Sequence, residues 1–116
     1  LIEDFNYFNN LDFFIELIEN FLNYKIDADT FQTNYYEMWR LEGEKEYKWE
    51  TMLYIIDNDL KVKQFKGVSS IISKLFTDLD AFEPDPLYRD DYEIDEDELR
   101  YLTKEALLKL KTYKDS

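Results

Sequence analysis

A chain of 116 residues, 45% apolar and 18% aromatic with a formal charge of −13, is long enough for one domain with its own core and too hydrophobic to be disordered by its charge. It contains neither cysteine nor histidine, which excludes disulfides, thiolate metal sites and cysteine nucleophiles and removes the commonest general base and transition-metal ligand. The charge argues against direct binding of nucleic acid or an anionic membrane, because phosphate contacts need cations, and points instead to a basic protein partner.

With 2 Gly and 2 Pro, the chain has few of the residues that tight hairpins demand, so helices are favoured over a sandwich or barrel. The expected fold is all-α, residues 1–116 forming a single domain. No window approaches about 18 uninterrupted apolar residues and no basic segment precedes an apolar core, so neither a membrane span nor a signal peptide is readable, and a cytoplasmic location is expected. Opening on Leu1 rather than Met, the sequence is expected not to begin at its natural start.

Residues 1–9 are aromatic and ambiguous between a short helix and an extended arm. From Leu11 the period is helical: Leu11, Phe14, Ile15, Ile18, Phe21 and Leu22 share one face, with Asp12, Glu16, Glu19 and Asn23 opposite. Asn10 is the candidate N-cap, and the helix is expected to end near Tyr24 or Lys25. Asp27 then offers a cap for a second helix, with Ile26 and Phe31 at the two positions of a hydrophobic staple. This helix would carry Phe31, Tyr35, Met38 and Trp39 inward and pair with the first as an antiparallel hairpin. A break falls around Leu41 to Glu46.

Trp49, Met52, Leu53, Ile56 and Leu60 recur with helical spacing, predicting a third helix from about Glu46 to Asp57, followed by a turn at Asp57, Asn58 and Asp59. Leu60 to Lys66 alternates apolar and basic residues and is compatible with a short strand or an irregular loop. Ser69 or Ser70 is the candidate cap of the next helix, whose stripe is Ile72, Leu75, Phe76, Leu79 and Phe82. Pro84 and Pro86 stop it. Asp95 and Glu98 then form a capping box, with Ile94 and Leu99 as a second staple. Leu99, Leu102, Ala106, Leu110 and Tyr113 line the terminal helix, whose acidic start and lysine-rich end suit its dipole.

The stretch between the last two helices is the most distinctive. Asp78, Asp80, Glu83, Asp85, Asp90, Asp91, Glu93, Asp95, Glu96, Asp97 and Glu98 face only Arg89 and Arg100 as nearby basic residues. Such a field repels itself and destabilises the compact state unless solvent or a cationic partner offsets it.

Two stretches resemble the immunity proteins of the colicin D type, which also guard toxins of contact-dependent inhibition systems. Phe21 to Phe31, FLNYKIDADTF, resembles that family's F-L-x-x-K-I before a capped helix with Phe near its start. In Phe82 to Leu99, F-E-P-D, then an Arg, then Y-E-I-D and a Leu follow the family's order. Leu41 to Gly67 is longer than in the colicin D immunity protein.

The resemblance implies an antiparallel four-helix bundle, here with an additional helix or irregular insertion in the middle, that binds the C-terminal nuclease domain of a bacterial toxin. In the colicin D case that toxin cleaves transfer RNA in the anticodon loop, and the inhibitor's acidic surface fills the cleft meant for RNA. The carry-over implies toxin contacts at Asp80, Glu83, Asp85, Tyr92, Glu93 and Asp95; Asp78, Asp90, Asp91 and Asp97 thicken the same field. Arg89 matches as an internal partner of neighbouring acids. A monomer forming a 1:1 heterodimer with the toxin domain is expected, without cofactor, metal or catalytic residues.

Three other readings compete. A calcium loop at Asp57 to Asp59 lacks the Gly and trailing Glu it needs, and Asp95 to Glu98 is a helix start rather than an oxygen-rich loop. Carboxylate-pair catalysis finds spacings about 5–10 Å apart by chance in so acidic a chain, so it has no specific support. A generic acidic adaptor or antitoxin for another basic protein is the stronger rival. In that reading exposed members of the set Tyr35, Tyr36, Trp39, Tyr47 and Trp49 would anchor the interface.

Overall fold

The computed structural model describes residues 10–43 and 60–114. Four helices account for most of them: α1 (Leu11–Leu22), α2 (Ala28–Gly43), α3 (Leu60–Asp80) and α4 (Glu96–Lys114). Helix α1 packs on α2 and α4, and α3 packs on the same two. Cross-helix contacts set the directions: Gln32 bonds the Leu79 carbonyl near one end of the α2–α3 pair, while Arg100 reaches Phe21 and Lys114 reaches Asp12 at opposite ends of the α1–α4 pair. Neighbours therefore run antiparallel, as the short connection predicts for the first pair and the family resemblance implies for the bundle.

The core is the union of four stripes. Phe14, Ile18, Phe21, Phe31, Tyr35, Val68, Ile72, Leu79, Leu99 and Leu110 are all fully buried, and each large apolar side chain taken from water contributes roughly 1.5–3 kcal/mol. Phe21 and Phe31 stack at 4.3 Å, and Tyr35 meets Phe14 and Phe31 edge-on at 5.5 and 5.8 Å. The buried Tyr35 hydroxyl donates to the Ile72 carbonyl at 2.6 Å, which satisfies a polar group that would otherwise cost about 1–3 kcal/mol. Tyr36 and Trp39 lie half-buried against Phe76, so these members of the aromatic set are packed rather than free. Tyr47, Trp49 and the helix expected over Glu46 to Asp57 lie outside the described residues, as does the turn at Asp57 to Asp59.

Two local expectations are corrected. Leu60 to Lys66 is neither strand nor loop but the first turns of α3, and Ser69 and Ser70 are mid-helix rather than caps. The buried stripe runs back from Ile72 to Val68 four residues earlier, and Gly67 is tolerated because Tyr113 of α4 fills the space a methyl would take. The second correction is Phe82. It leaves the helix face and forms an isolated parallel bridge with Ile94, closing the base of the α3–α4 connection.

Candidate functional site

The antiparallel order brings the α1–α2 turn and the α3–α4 connection to the same end of the bundle. At that end α1 stops in a Schellman arrangement: the Lys25 N–H donates to the Asn20 carbonyl at 2.8 Å and the Tyr24 N–H to that of Phe21 at 3.1 Å. Tyr24 takes a left-handed φ of 61°, a conformation glycine normally supplies. The turn then enters α2 through Asp27, whose Oδ1 accepts the Thr30 N–H at 2.8 Å. That backbone hydrogen bond, with the Thr30 hydroxyl second, holds the Asp27 carboxyl below its ordinary range.

Arg100 of α4 seals this turn. Its Nη1 donates to the Phe21 carbonyl at 2.7 Å and its Nε to Glu96 at 2.9 Å. The guanidinium lies between two rings, 4.1 Å from the Phe21 centroid and 4.0 Å from that of Tyr24. Such a seat contributes both a carbonyl cap and cation–π attraction.

The second connection spans residues 81–95. Its base is tied by the Ile94 N–H to the Ala81 carbonyl at 2.8 Å and the Glu83 N–H to the Ile94 carbonyl at 3.0 Å. One turn closes from the Tyr88 N–H to the Asp85 carbonyl, reinforced by Asp85 Oδ1 accepting the Leu87 N–H at 2.9 Å. Another closes from the Glu93 N–H to the Asp90 carbonyl, reinforced by Glu93 Oε1 accepting the Asp90 N–H at 3.0 Å. Arg89 joins the turns to the base, donating to the Glu83 carbonyl at 3.0 Å and to the Pro84 carbonyl at 3.2 Å. The expectation that Arg89 pairs with neighbouring acids is corrected here: its donors go to main-chain oxygens.

The carboxylates divide by task. Asp78 is 12% exposed and held by Lys74 at 2.7 Å, inside the α3–α4 groove rather than on the loop. Asp85 and Glu93 bond turn amides, and Asp95 Oδ1 caps α4 through the Glu98 N–H at 2.8 Å. Asp80, Asp90 and Asp91 are exposed, and Glu83 is half-exposed. From Asp80 to Glu98 there are ten carboxylates and one guanidinium. Among the described residues, none of the acids between Asp80 and Asp95 is in an ion pair. The charges of Asp90 and then Glu93, together with a hydrogen bond to Asp90, raise the Tyr92 phenol above its ordinary value. Burial first, and then the charge of Asp80, raise the Tyr36 phenol against the lowering effect of its hydrogen bond with Gln32.

Three large apolar side chains share the loop: Leu87, Tyr88 and Tyr92 are 87%, 72% and 76% exposed. Only Tyr92 is singled out by sequence reasoning. The available signal for the other two is their place after the Pro84–Pro86 turn, where no helical or strand period gives an apolar pair a core face to join.

Among the described residues no three acids are grouped so as to hold a metal ion, and no helix is long and apolar enough to cross a membrane. The surface grooves, of about 280 Å³ between α3 and α4 and 530 Å³ between α1 and α4, are lined by mixed lysine, glutamate and apolar side chains. A helical bundle with one strongly negative, hydrogen-bonded end is an arrangement suited to binding a basic macromolecule. Comparison with known families makes this specific: the family described as bacterial self-protective colicin-like immunity matches residues 10–110, and the chain belongs to it. It is therefore a toxin-neutralising inhibitor and not an enzyme. Neither the curated proteins nor the solved structures give a match.

Proposed function

We propose that the chain neutralises the C-terminal nuclease domain of a bacterial toxin of the colicin D or contact-dependent inhibition type, cutting transfer RNA, by laying its acidic end over the cationic cleft that receives the RNA. The observation that carries this reading is the α3–α4 connection, which displays unpaired carboxylates on a backbone fixed by Arg89. A nuclease groove must be rich in Lys and Arg to hold phosphates. Carboxylates placed in it compete for the same charges, and opposed fields can raise the association rate toward roughly 10⁸–10⁹ M⁻¹s⁻¹.

In this reading Asp80, Glu83, Asp90 and Asp91 face the toxin directly. Asp85, Tyr92, Glu93 and Asp95 combine contact with loop or helix structure, and Asp78 adds field rather than contact. The complex is a 1:1 heterodimer formed in the cytoplasm, where the transfer RNA lies.

The test is transfer-RNA cleavage by the C-terminal domain of the toxin encoded beside this chain, with and without the inhibitor. Glu83→Lys combined with Asp85→Lys is expected to weaken binding while leaving the helical circular dichroism intact, and association by the wild type should slow steeply with added salt. Unchanged affinity removes those residues from the interface. Tight binding to a domain that cuts no transfer RNA favours a generic acidic antitoxin instead.

A further inference from the structure

Carboxylates on this loop account for steering and register, and exposed charges at the rim of an interface act mainly on the association rate. Slow dissociation needs apolar anchors that leave water only in the complex. Phe13, Tyr24, Leu41, Tyr101 and Leu108 are also exposed, each apart from its neighbours in sequence, whereas Leu87, Tyr88 and Tyr92 take three of six consecutive positions on one loop and stand 72–87% exposed. Isolated exposed apolar residues are ordinary, whereas a cluster on one fixed loop marks an interaction site.

Both turns that carry them are fixed before any partner arrives. Asp85 closes the turn bearing Leu87 and Tyr88, the Asp90–Glu93 pair closes the one bearing Tyr92, and Arg89 between them bonds the loop base. A tyrosine has few rotatable bonds, so little conformational freedom remains to be lost on docking. The surrounding ten carboxylates and single guanidinium restrict the occupant to a basic surface.

Resting on the reading of the acidic end as the toxin-binding face, we infer that Leu87, Tyr88 and Tyr92 form an apolar anchor that seats in a pocket within the partner's cationic groove. The anchor sets how long the complex lasts, while Asp80, Glu83, Asp90 and Asp91 set how fast it forms. The two roles separate kinetically.

The test uses the full chain against the toxin's nuclease domain, with association and dissociation rates measured separately. Tyr88→Ala or Tyr92→Ala should each speed dissociation by about 30-fold, as expected of hot-spot residues. The triple Leu87→Ala, Tyr88→Ala, Tyr92→Ala variant should do so further, with the association rate and its salt dependence unchanged. Asp90→Asn with Asp91→Asn should give the reverse pattern. All these side chains are exposed, so circular dichroism and thermal midpoint should stay at wild-type values.

If the wild type binds and the triple variant dissociates at the wild-type rate, the anchor is overturned and the functional reading stands. If the wild type does not bind the domain, both fall together. Concentration-dependent self-association in sedimentation, abolished in the triple variant, would assign the patch to a second copy and equally overturn the inference.

Discussion

The two connections at the acidic end are closed by the same device and put to different ends. In each, one arginine donates to main-chain carbonyls: Arg100 to Phe21 in the α1–α2 turn, and Arg89 to Glu83 and Pro84 in the α3–α4 loop. Arg100 comes from another helix, lies between two rings and has Glu96 as its counter-ion. Arg89 comes from within its own loop, bonds no carboxylate and leaves the neighbouring acids without ion pairs. The first arrangement joins helices. The second fixes a backbone while leaving its charge and apolar side chains exposed, and the difference is one of global against local stability.

Substitutions can break this contrast at graded cost. Phe21→Ala should have the largest effect, about 3–5 kcal/mol in urea unfolding, because it removes the ring stacked on Phe31 and the seat of Arg100 together. Arg100→Ala should follow at roughly 1.5–3 kcal/mol, since a charged donor is lost and the Phe21 carbonyl at the end of α1 keeps only the Tyr24 N–H. Arg89→Ala should cost less than about 1.5 kcal/mol globally. Its signature is local: faster amide hydrogen exchange across residues 83–95 and a loss of toxin affinity larger than the loss of stability. Equal global costs for the two arginines would erase the distinction.

A finer comparison isolates the left-handed residue. Tyr24→Gly and Tyr24→Ala both lose the ring over Arg100, but only glycine relieves the backbone. The glycine variant should therefore be more stable than the alanine variant by about 1 kcal/mol. The smallest expected effect is the pH dependence of the α2 cap. The folded-state pKa of Asp27 lies below its ordinary value of 3.8, so its contribution is present above that value and is lost as pH falls through the folded one. Asp27→Asn, which keeps a capping oxygen without the titration, should lose that component of the acid slope while keeping the other carboxylates' share.

Legibility in the sequence followed the range of each interaction. The stripe Leu11, Phe14, Ile15, Ile18 and Phe21 is buried as its period requires, and Asp27 and Asp95 cap the helices they precede. Asn10 occupies its N-cap through its carbonyl, with no side-chain capping bond. The start of α3 was not legible, because basic residues alternating with apolar ones fit a strand locally and Gly67 reads as a break, whereas in the fold it sits in mid-helix with Tyr113 packed against it. The acidic field was legible as composition. Which carboxylates stay open was not, since Asp78 differs from Asp80 only by its face of the helix and its reach to Lys74.

The sequence by itself determined the buried stripes of the helices, the caps of α2 and α4, the proline stop and the sign of the charged end. These depend on residues within about four positions of one another, and side-chain period and turn chemistry act at that range. The tertiary structure alone decided that Arg100 meets a carbonyl 79 positions away, that Phe82 pairs with Ile94 to close the loop, and that Arg89 holds backbone instead of acids. Such contacts form only when folding brings distant segments together, and several partners of equal local merit compete until packing and geometry select one.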